Sequence, residues 1–278
     1  MAADFSVVIP TFRRPGPLRE AIESALAQEG VSVEVVVADD SPEGSAREVV
    51  ERIADPRVVY QKRDVPTGGS PARVRNEAFP QTRAALLHFL DDDDRVLPGT
   101  YRAVAEAFAA RPGVGMVFGV IEPFGDDPRI LAHEQALFRR SARRARIYQR
   151  LRSRHLFVAN QLYSHPPLHV NSACFIRRGL FEKLGGYDPR IRMIEDLELY
   201  LRAIREGGCW FLDRPVIAYR TGAPSIMNVV RESEERRREL AQVLVASSNL
   251  SYAKYREAHG PAELLTLKVV AKLLLRWL

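Results

Sequence analysis

Ala84-Ala85-Leu86-Leu87-His88-Phe89-Leu90 runs directly into Asp91-Asp92-Asp93-Asp94. An apolar run of this length reads as a buried strand, and four adjacent carboxylates repel one another unless a cation neutralises them. A strand ending in such a cluster puts the charge at its carboxyl edge, where open α/β sheets bind ligands. Carboxylate oxygens suit Mg2+ or Mn2+, which in turn hold phosphates. The plain alternative is an acidic surface loop; the strand in front of the acids favours a cation–phosphate site.

Upstream, the pattern alternates. Ser6-Val7-Val8-Ile9 reads as a buried strand stopped by Pro10, and Leu18, Ala21, Ile22, Ala25 and Leu26 recur at helical spacing, predicting a helix over about 16–29. Val33-Glu34-Val35-Val36-Val37 is a second strand ending at Asp39-Asp40-Ser41, followed by a helix through Ala46, Val49, Val50 and Ile53 and a strand at Arg57-Val58-Val59-Tyr60. Pro66-Thr67-Gly68-Gly69-Ser70-Pro71 is a turn-rich lead into a helix over 72–79. Such alternation predicts βαβ units: an α/β protein with a doubly wound, mixed, mostly parallel sheet and helices on both faces. Beyond Leu97-Pro98-Gly99 we expect a helix through Tyr101 and Phe108, a strand over 115–120, and an Arg-rich segment of helix and loop. A second ordered block over 170–220 follows, with strands at 172–176, 209–212 and 216–219 and helices over 178–184 and from Glu195. From about residue 228 the composition is helical. The expected organisation is a donor-binding half over 1–120, an acceptor-binding and catalytic half over 121–227, and a helical extension over 228–278.

The 278 residues carry 46% hydrophobic and 27% charged residues, ordinary for a globular protein. The net charge of +6 is uneven, concentrated in Arg139-Arg140-Ser141-Ala142-Arg143-Arg144-Ala145-Arg146. No zinc-finger, helix-turn-helix or RNA-binding signature accompanies it, so nucleic acid is not an expected partner. The two cysteines, Cys174 and Cys209, are too few for a disulfide framework and read as small packed hydrophobes. No leader is visible in Met1-Ala2-Ala3-Asp4-Phe5, and no apolar run reaches the roughly 20 residues of a membrane span. Both features set a cytoplasmic expectation.

Strand ends of a doubly wound sheet converge on one crevice, so Pro10, Thr11 and Phe12 should meet Asp39 and Asp40 there. Phe12 can flank a planar base, and a carboxylate can accept the imide N–H of uracil or thymine; a turn with a helix cap is the simpler reading of Asp39-Asp40-Ser41. Arg73 and Arg75 can reach diphosphate oxygens, with Asn76 hydrogen-bonding nearby, or lie on an exposed helix face. Glu195-Asp196 opens a helix, where carboxylates complement the dipole; beside a metal–nucleotide site a carboxylate there is a general base for an acceptor hydroxyl. His165 and His169 flank two prolines, which reads as a surface loop, with the acceptor as the alternative they and Asn171 could face.

Ile9-Pro10-Thr11-Phe12-Arg13-Arg14, Val37-Ala38-Asp39-Asp40-Ser41, Arg75-Asn76, Phe89-Leu90-Asp91-Asp92-Asp93-Asp94, Gly185-Gly186-Tyr187-Asp188 and Glu195-Asp196-Leu197-Glu198-Leu199-Tyr200-Leu201-Arg202 together resemble the ordered motifs of family 2 glycosyltransferases, over roughly 5–225. The resemblance implies a GT-A fold and an inverting, Mg2+- or Mn2+-dependent transfer of a sugar from a nucleotide sugar. The acceptor would be a carbohydrate, a lipid-linked or a small-molecule hydroxyl. Carried over, Pro10, Thr11, Phe12, Asp39 and Asp40 would hold the nucleoside; Arg14, Arg73 and Arg75 would complete the donor site. Asp91 would support the acidic loop, Asp92 would be its spacer, and Asp93 and Asp94 would meet the metal and diphosphate. Asp196 would be the base, with Glu195 beside it.

One departure from the family pattern concerns the metal. Many members place a His two residues after an Arg like Arg220, where this chain has Gly222. Metal binding would then lean on water and nucleotide oxygens. A sugar-1-phosphate nucleotidyltransferase would also use a metal on such a sheet, but Pro10-Thr11-Phe12-Arg13-Arg14-Pro15 is not its glycine-rich phosphate loop. A non-catalytic carbohydrate- or nucleotide-sugar-binding module has no need of Asp93, Asp94 and Asp196 together. Finally, the apolar segment 264–278 carries Lys268, Lys272 and Arg276 at intervals of four. Its expected partner is a membrane interface at the inner face, a second copy in a homodimer, or its own domain.

Overall fold

The computed structural model describes residues 3–68, 70–163, 168–222 and 234–275. In chain order it contains β1 (Phe5–Thr11), α1 (Pro15–Leu26), β2 (Val33–Asp39), α2 (Arg47–Ile53), β3 (Val58–Lys62), α3 (Pro71–Ala78), β4 (Leu86–Phe89), β5 (Arg95–Val96) and α4 (Thr100–Ala109). There follow β6 (Met116–Phe124), α5 (Pro128–Arg150), α6 (Arg154–Tyr163), β7 (Cys174–Arg177), α7 (Arg178–Leu184), α8 (Glu195–Gly207), β8 (Cys209–Arg220) and α9 (Glu234–Val270).

The strands form one sheet in the order β3-β2-β1-β4-β7-β6-β8-β5. β3, β2, β1 and β4 pair in parallel, whereas β7 runs antiparallel to both β4 and β6. The sheet is thus doubly wound, mixed and mostly parallel, with a C-terminal helical extension. Alternation along each strand explains why both faces are covered. Val7, Ile9, Val35 and Val37 join Leu18, Ile22, Tyr101 and Phe108 of α1 and α4 in one core. Their neighbours Val8, Val36 and Ala38 join α3, α6 and α8 in the other, through Val74, Phe157 and Leu199.

Three strand expectations needed correction. Pro10 does not stop β1; the strand continues to Thr11. The missing N–H falls on the β4 side, where pairing has already ended at Val8 with Phe89, so no ladder bond is lost. The strands expected at 209–212 and 216–219 are one, β8, whose register against β6 skips Asp213 and Arg214 between Leu212 and Pro215, a bulge. β5, only two residues long, was not foreseen.

His169, expected in a surface loop, is buried against Phe118 at 4.2 Å between ring centroids, with Nδ1 2.8 Å from Gln161 Oε1. His165 lies outside the described residues. Cys174 is buried and Cys209 partly so, both free thiols. Tyr255, Leu264 and Leu267 of α9 are buried in the second core, so this helix does pack on its own domain. Among the described residues, no helix is long and apolar enough to cross a membrane.

Two distant motifs lock together. Asn76 donates from Nδ2 to the Tyr187 carbonyl (2.8 Å) and accepts the Tyr187 N–H at Oδ1 (3.0 Å). Gly186 makes this approach possible: its φ is +72°, and a Cβ there would stand 2.6 Å from Asn76 Oδ1. Replacing Gly186 by Ala should therefore lower the unfolding free energy by about 1–3 kcal/mol, read as a shifted urea midpoint with an unchanged slope.

Candidate active site

The carboxyl ends of β1, β2 and β4 do converge, and the acidic loop lies at their edge. Its anchoring begins beneath it. His88 is fully buried, and Nε2 donates to the Ser172 carbonyl (2.8 Å), leaving Nδ1 to accept the Tyr101 hydroxyl (2.8 Å). Burial pushes its pKa down to about 4, so it is a neutral strut. Ser172 in turn accepts the Asp91 N–H at Oγ (3.1 Å).

Each aspartate has different partners. Asp91 Oδ1 accepts Arg75 Nη2 (2.7 Å) and Asn171 Nδ2 (3.1 Å). Asp92, expected as a spacer, is buried: Oδ2 accepts the Thr11 hydroxyl (2.7 Å) and Oδ1 accepts Arg14 Nη1 (3.1 Å). The same Arg14 nitrogen reaches Asp93 Oδ2 at 2.8 Å. Asp94 Oδ1 accepts the Arg220 N–H (3.0 Å), while its Oδ2 is buried without a hydrogen bond among the described residues. Arg220 also donates from Nε to the Asp93 carbonyl (3.0 Å). Burial and neighbouring acids push the pKa of Asp92 up to about 6, that of Asp93 above its usual range, and that of Asp94 well above it. Such a loop needs a cation or a proton.

Arg75 is the joint between the two halves of the site. Buried beside the Tyr187 ring, it donates from Nη1 to Glu195 Oε1 (2.7 Å) while its other arm holds Asp91. Asp196, next to Glu195, is half-buried, and its Oδ1 accepts the Leu197 N–H (2.8 Å). Burial first, then the Glu195 charge, pushes its pKa up to about 7. A carboxylate poised there can exchange a proton near neutrality.

Other assignments shift in detail. Asp39 is fully buried and accepts from Ser41 N (2.9 Å), the Ser41 hydroxyl, Ala46 N (2.9 Å) and the Tyr60 hydroxyl (3.0 Å). Asp40 takes Thr67 N (2.8 Å), Thr67 Oγ1 (2.7 Å) and an ion pair with Arg63 (3.0 Å). Four donors fill Asp39, whereas Asp40 Oδ2, with Thr67 Oγ1 as its one donor among the described residues, keeps room to accept an N–H from a base. Phe12 is 46% exposed at the mouth, with the Arg13 guanidinium 5.2 Å from its ring. Pro10 is half-buried within β1, and Arg73 is exposed on α3. Asn76 binds the Tyr187 backbone rather than pointing to a phosphate. Asn171 is consumed inside too, its Oδ1 accepting the Tyr187 and Tyr200 hydroxyls at 2.9 and 3.1 Å.

Tyr60, Thr67, Ser172 and Arg220 were not picked out as site residues. Only strand register reveals Tyr60, since β3 must lie beside β2 for its hydroxyl to reach Asp39.

Among the described residues no three His, Cys, Asp or Glu side chains gather to hold a metal unaided. Asp93 and the Asp94 oxygen without a hydrogen bond among the described residues fit a Mg2+ or Mn2+ that would also be held by phosphate oxygens, the usual manner of Mg2+ binding.

The model described as "Glycosyl transferase family 2" matches residues 6–185. The chain belongs to that family. An uncharacterized protein of Mycobacterium tuberculosis (strain CDC 1551 / Oshkosh) is 25% identical over 246 residues, covering 86% of this chain and 75% of that one. The GalNAc(5)-diNAcBac-PP-undecaprenol beta-1,3-glucosyltransferase of Campylobacter jejuni is 32% identical over 116 residues. That match covers 41% of this chain and only 37% of the relative. The structure of S. aureus TarS 1-349 in complex with UDP-GlcNAc superposes with a TM-score of 0.58 at 16% identity, covering 92% of this chain and 74% of that one. The shared fold is GT-A.

Replacing Arg75 by Met would leave Asp91 and Glu195 without their common cation. We expect a loss of about 3–5 kcal/mol of folding free energy, measurable by chemical denaturation; a loss below about 1 kcal/mol would show that the joint is not structural.

Proposed function

We propose that the chain is an inverting glycosyltransferase. It moves a sugar from a nucleoside-diphosphate sugar, UDP or dTDP favoured, to an acceptor hydroxyl. The observation that carries this reading is the poised Asp196 carboxylate, tied through Glu195 and Arg75 to the acidic loop. Residues 1–120 form the donor half, 121–227 the acceptor and catalytic half, and 228–278 the helical extension.

In this reading Phe12 flanks the base, Pro10 and Thr11 form the floor, and Asp39 and Asp40 shape the nucleoside wall. Arg14 and the exposed Arg73 lie toward the diphosphate, and Asp91 and Asp92 hold the loop. Asp93 and Asp94 would hold Mg2+ or Mn2+, which when bound stabilises the departing diphosphate. Asp196 takes the proton of the acceptor hydroxyl as its oxygen attacks the anomeric carbon. The bond from that carbon to the diphosphate oxygen breaks, its electron pair leaves with the nucleoside diphosphate, and configuration inverts in one displacement. Glu195 holds Arg75 and keeps the Asp196 pKa high.

Asp196→Asn should reduce transfer by about 10²–10⁴-fold while thermal-shift titrations with UDP, dTDP and their sugars, with and without Mn2+, remain as in the unsubstituted chain. Because the base works deprotonated, turnover should be full above a pH of about 7 and fall as the pH drops below it. Substantial turnover by Asp196→Asn would overturn the assignment, and no shift with any nucleotide sugar would overturn the donor.

The acceptor is a saccharide on a lipid carrier in this reading, supported by the undecaprenol named for the Campylobacter jejuni relative. The site would then work in the cytoplasm, peripheral to the inner face of the membrane. Supporting this, α9 turns Leu265 (64% exposed), Val269 (46%) and the following Leu273 (61%) outward beside exposed Lys268 and Lys272, an apolar row with cations suited to anionic lipid. Vesicles containing phosphatidylglycerol should sediment the intact chain but not Leu265→Glu/Val269→Glu. Equal binding of the two, or none by the intact chain, rejects the membrane.

A further inference from the structure

The segment that presents Glu195 and Asp196 is held from outside by the C-terminal helix. Ile194, immediately before α8, has φ of +58°, a conformation that a β-branched residue keeps only when its surroundings enforce it. Met193, the residue before it, is buried and donates its N–H to Ser247 Oγ of α9 at 3.3 Å. Two turns further along α9, Lys254 Nζ donates to Asp188 Oδ2 and to Glu198 Oε1, both at 2.7 Å. Asp188 precedes the strained turn, and Glu198 lies in the first turn of α8, where its N–H closes onto the Ile194 carbonyl at 3.0 Å. Lys254 therefore clasps the two ends of the stretch that contains the carboxylate pair, and Ser247 supports its middle.

α9 breaks at Gly260 (φ +80°), and its first segment, which carries Ser247 and Lys254, is anchored through the buried Tyr255. Glu263 pairs with Arg205 near the far end of α8 (3.0 Å) and accepts the Tyr255 hydroxyl (2.8 Å). The matched family region ends at residue 185, so neither the clasped stretch nor α9 lies within it. Both carboxylates also have arginines of their own: Arg190 on Asp188 and Arg202 on Glu198, each at 2.7 Å. Removing the Lys254 ammonium would strand neither acid. What it removes is the tie between them.

We propose that Lys254, assisted by Ser247, is a positioning residue that sets the angle at which α8 presents Asp196 to the acceptor. The proposal rests on the reading of Asp196 as the base. The C-terminal helix is then part of the catalytic apparatus without touching substrate.

The test uses the full chain bearing Lys254→Met, Lys254→Arg, Ser247→Ala or Asp196→Asn. Lys254→Met should lower kcat about tenfold, since small misplacements of a reacting group are costly, with donor KM within about twofold of the parent. Lys254→Arg, able to bond both carboxylates, should restore most of kcat. Ser247→Ala should give a smaller fall in kcat alone. Parental kcat in Lys254→Met, with Asp196→Asn inactive, overturns the proposal and leaves the base intact. Equal impairment of Lys254→Met and Lys254→Arg, or a kcat loss matched by a lost folded fraction in thermal melts, also overturns it. An active Asp196→Asn removes the base assignment itself, and the proposal with it.

Discussion

The buried Arg75 cation is the constraint on which the remainder of the site depends. Its two arms hold Asp91, at the end of β4, and Glu195, at the start of α8, segments joined only by folding of the whole chain. Two carboxylates around one guanidinium tolerate burial because each charge has a charged hydrogen-bond partner. Asn76, the next residue of α3, clamps the Tyr187 backbone and so fixes the approach to α8 from the same helix. One turn of α3 thereby registers the donor edge of the sheet against the helix that bears Asp196.

That arrangement leaves Asp196 outside the pairing. Glu195 takes the arginine, and Asp196 has one backbone donor and a like charge beside it. The same burial that would penalise an unneeded carboxylate raises its affinity for a proton into the range useful to a general base. Structure and chemistry are connected here through a half-buried carboxylate that the arginine pairing passes over.

The parallel half of the sheet was legible because buried strands and amphipathic helices repeat with periods that side-chain burial enforces. Val7 and Val8 fall in opposite cores as alternation demands. Pro10 misled because its effect depends on which neighbour its N–H would face, a matter of register. Asp213 and Arg214 misled because an extruded bulge looks like a turn. Polar residues were harder still. His169, Asn76 and Asn171 have partners distant in the chain or buried by distant elements, and each could be read locally as a solvent or ligand contact. The acids at strand ends could be located, but not apportioned among Thr11, Arg14, Arg75 and Arg220.

Apportioned, the four aspartates cease to be equivalent. Asp91 is committed to Arg75 and Asn171, Asp92 to Thr11 and Arg14, and one oxygen of Asp94 to the Arg220 backbone. Three of these ties draw the acidic loop toward β1, α3 and the end of β8. Among the described residues they leave Asp91 Oδ2, Asp93 Oδ1 and the second Asp94 oxygen without a hydrogen bond. Arg14, spanning Asp92 and Asp93, is one of the counter-charges supplied by the protein, beside Arg75 on Asp91 and Arg220 near Asp93. Gly222 supplies no side chain where the family resemblance leads one to expect an imidazole, so among the described residues a divalent ion at this loop would draw the rest of its shell from water and diphosphate. Cation affinity at such a loop would then be coupled to the presence of donor phosphate, which would provide the remaining ligands.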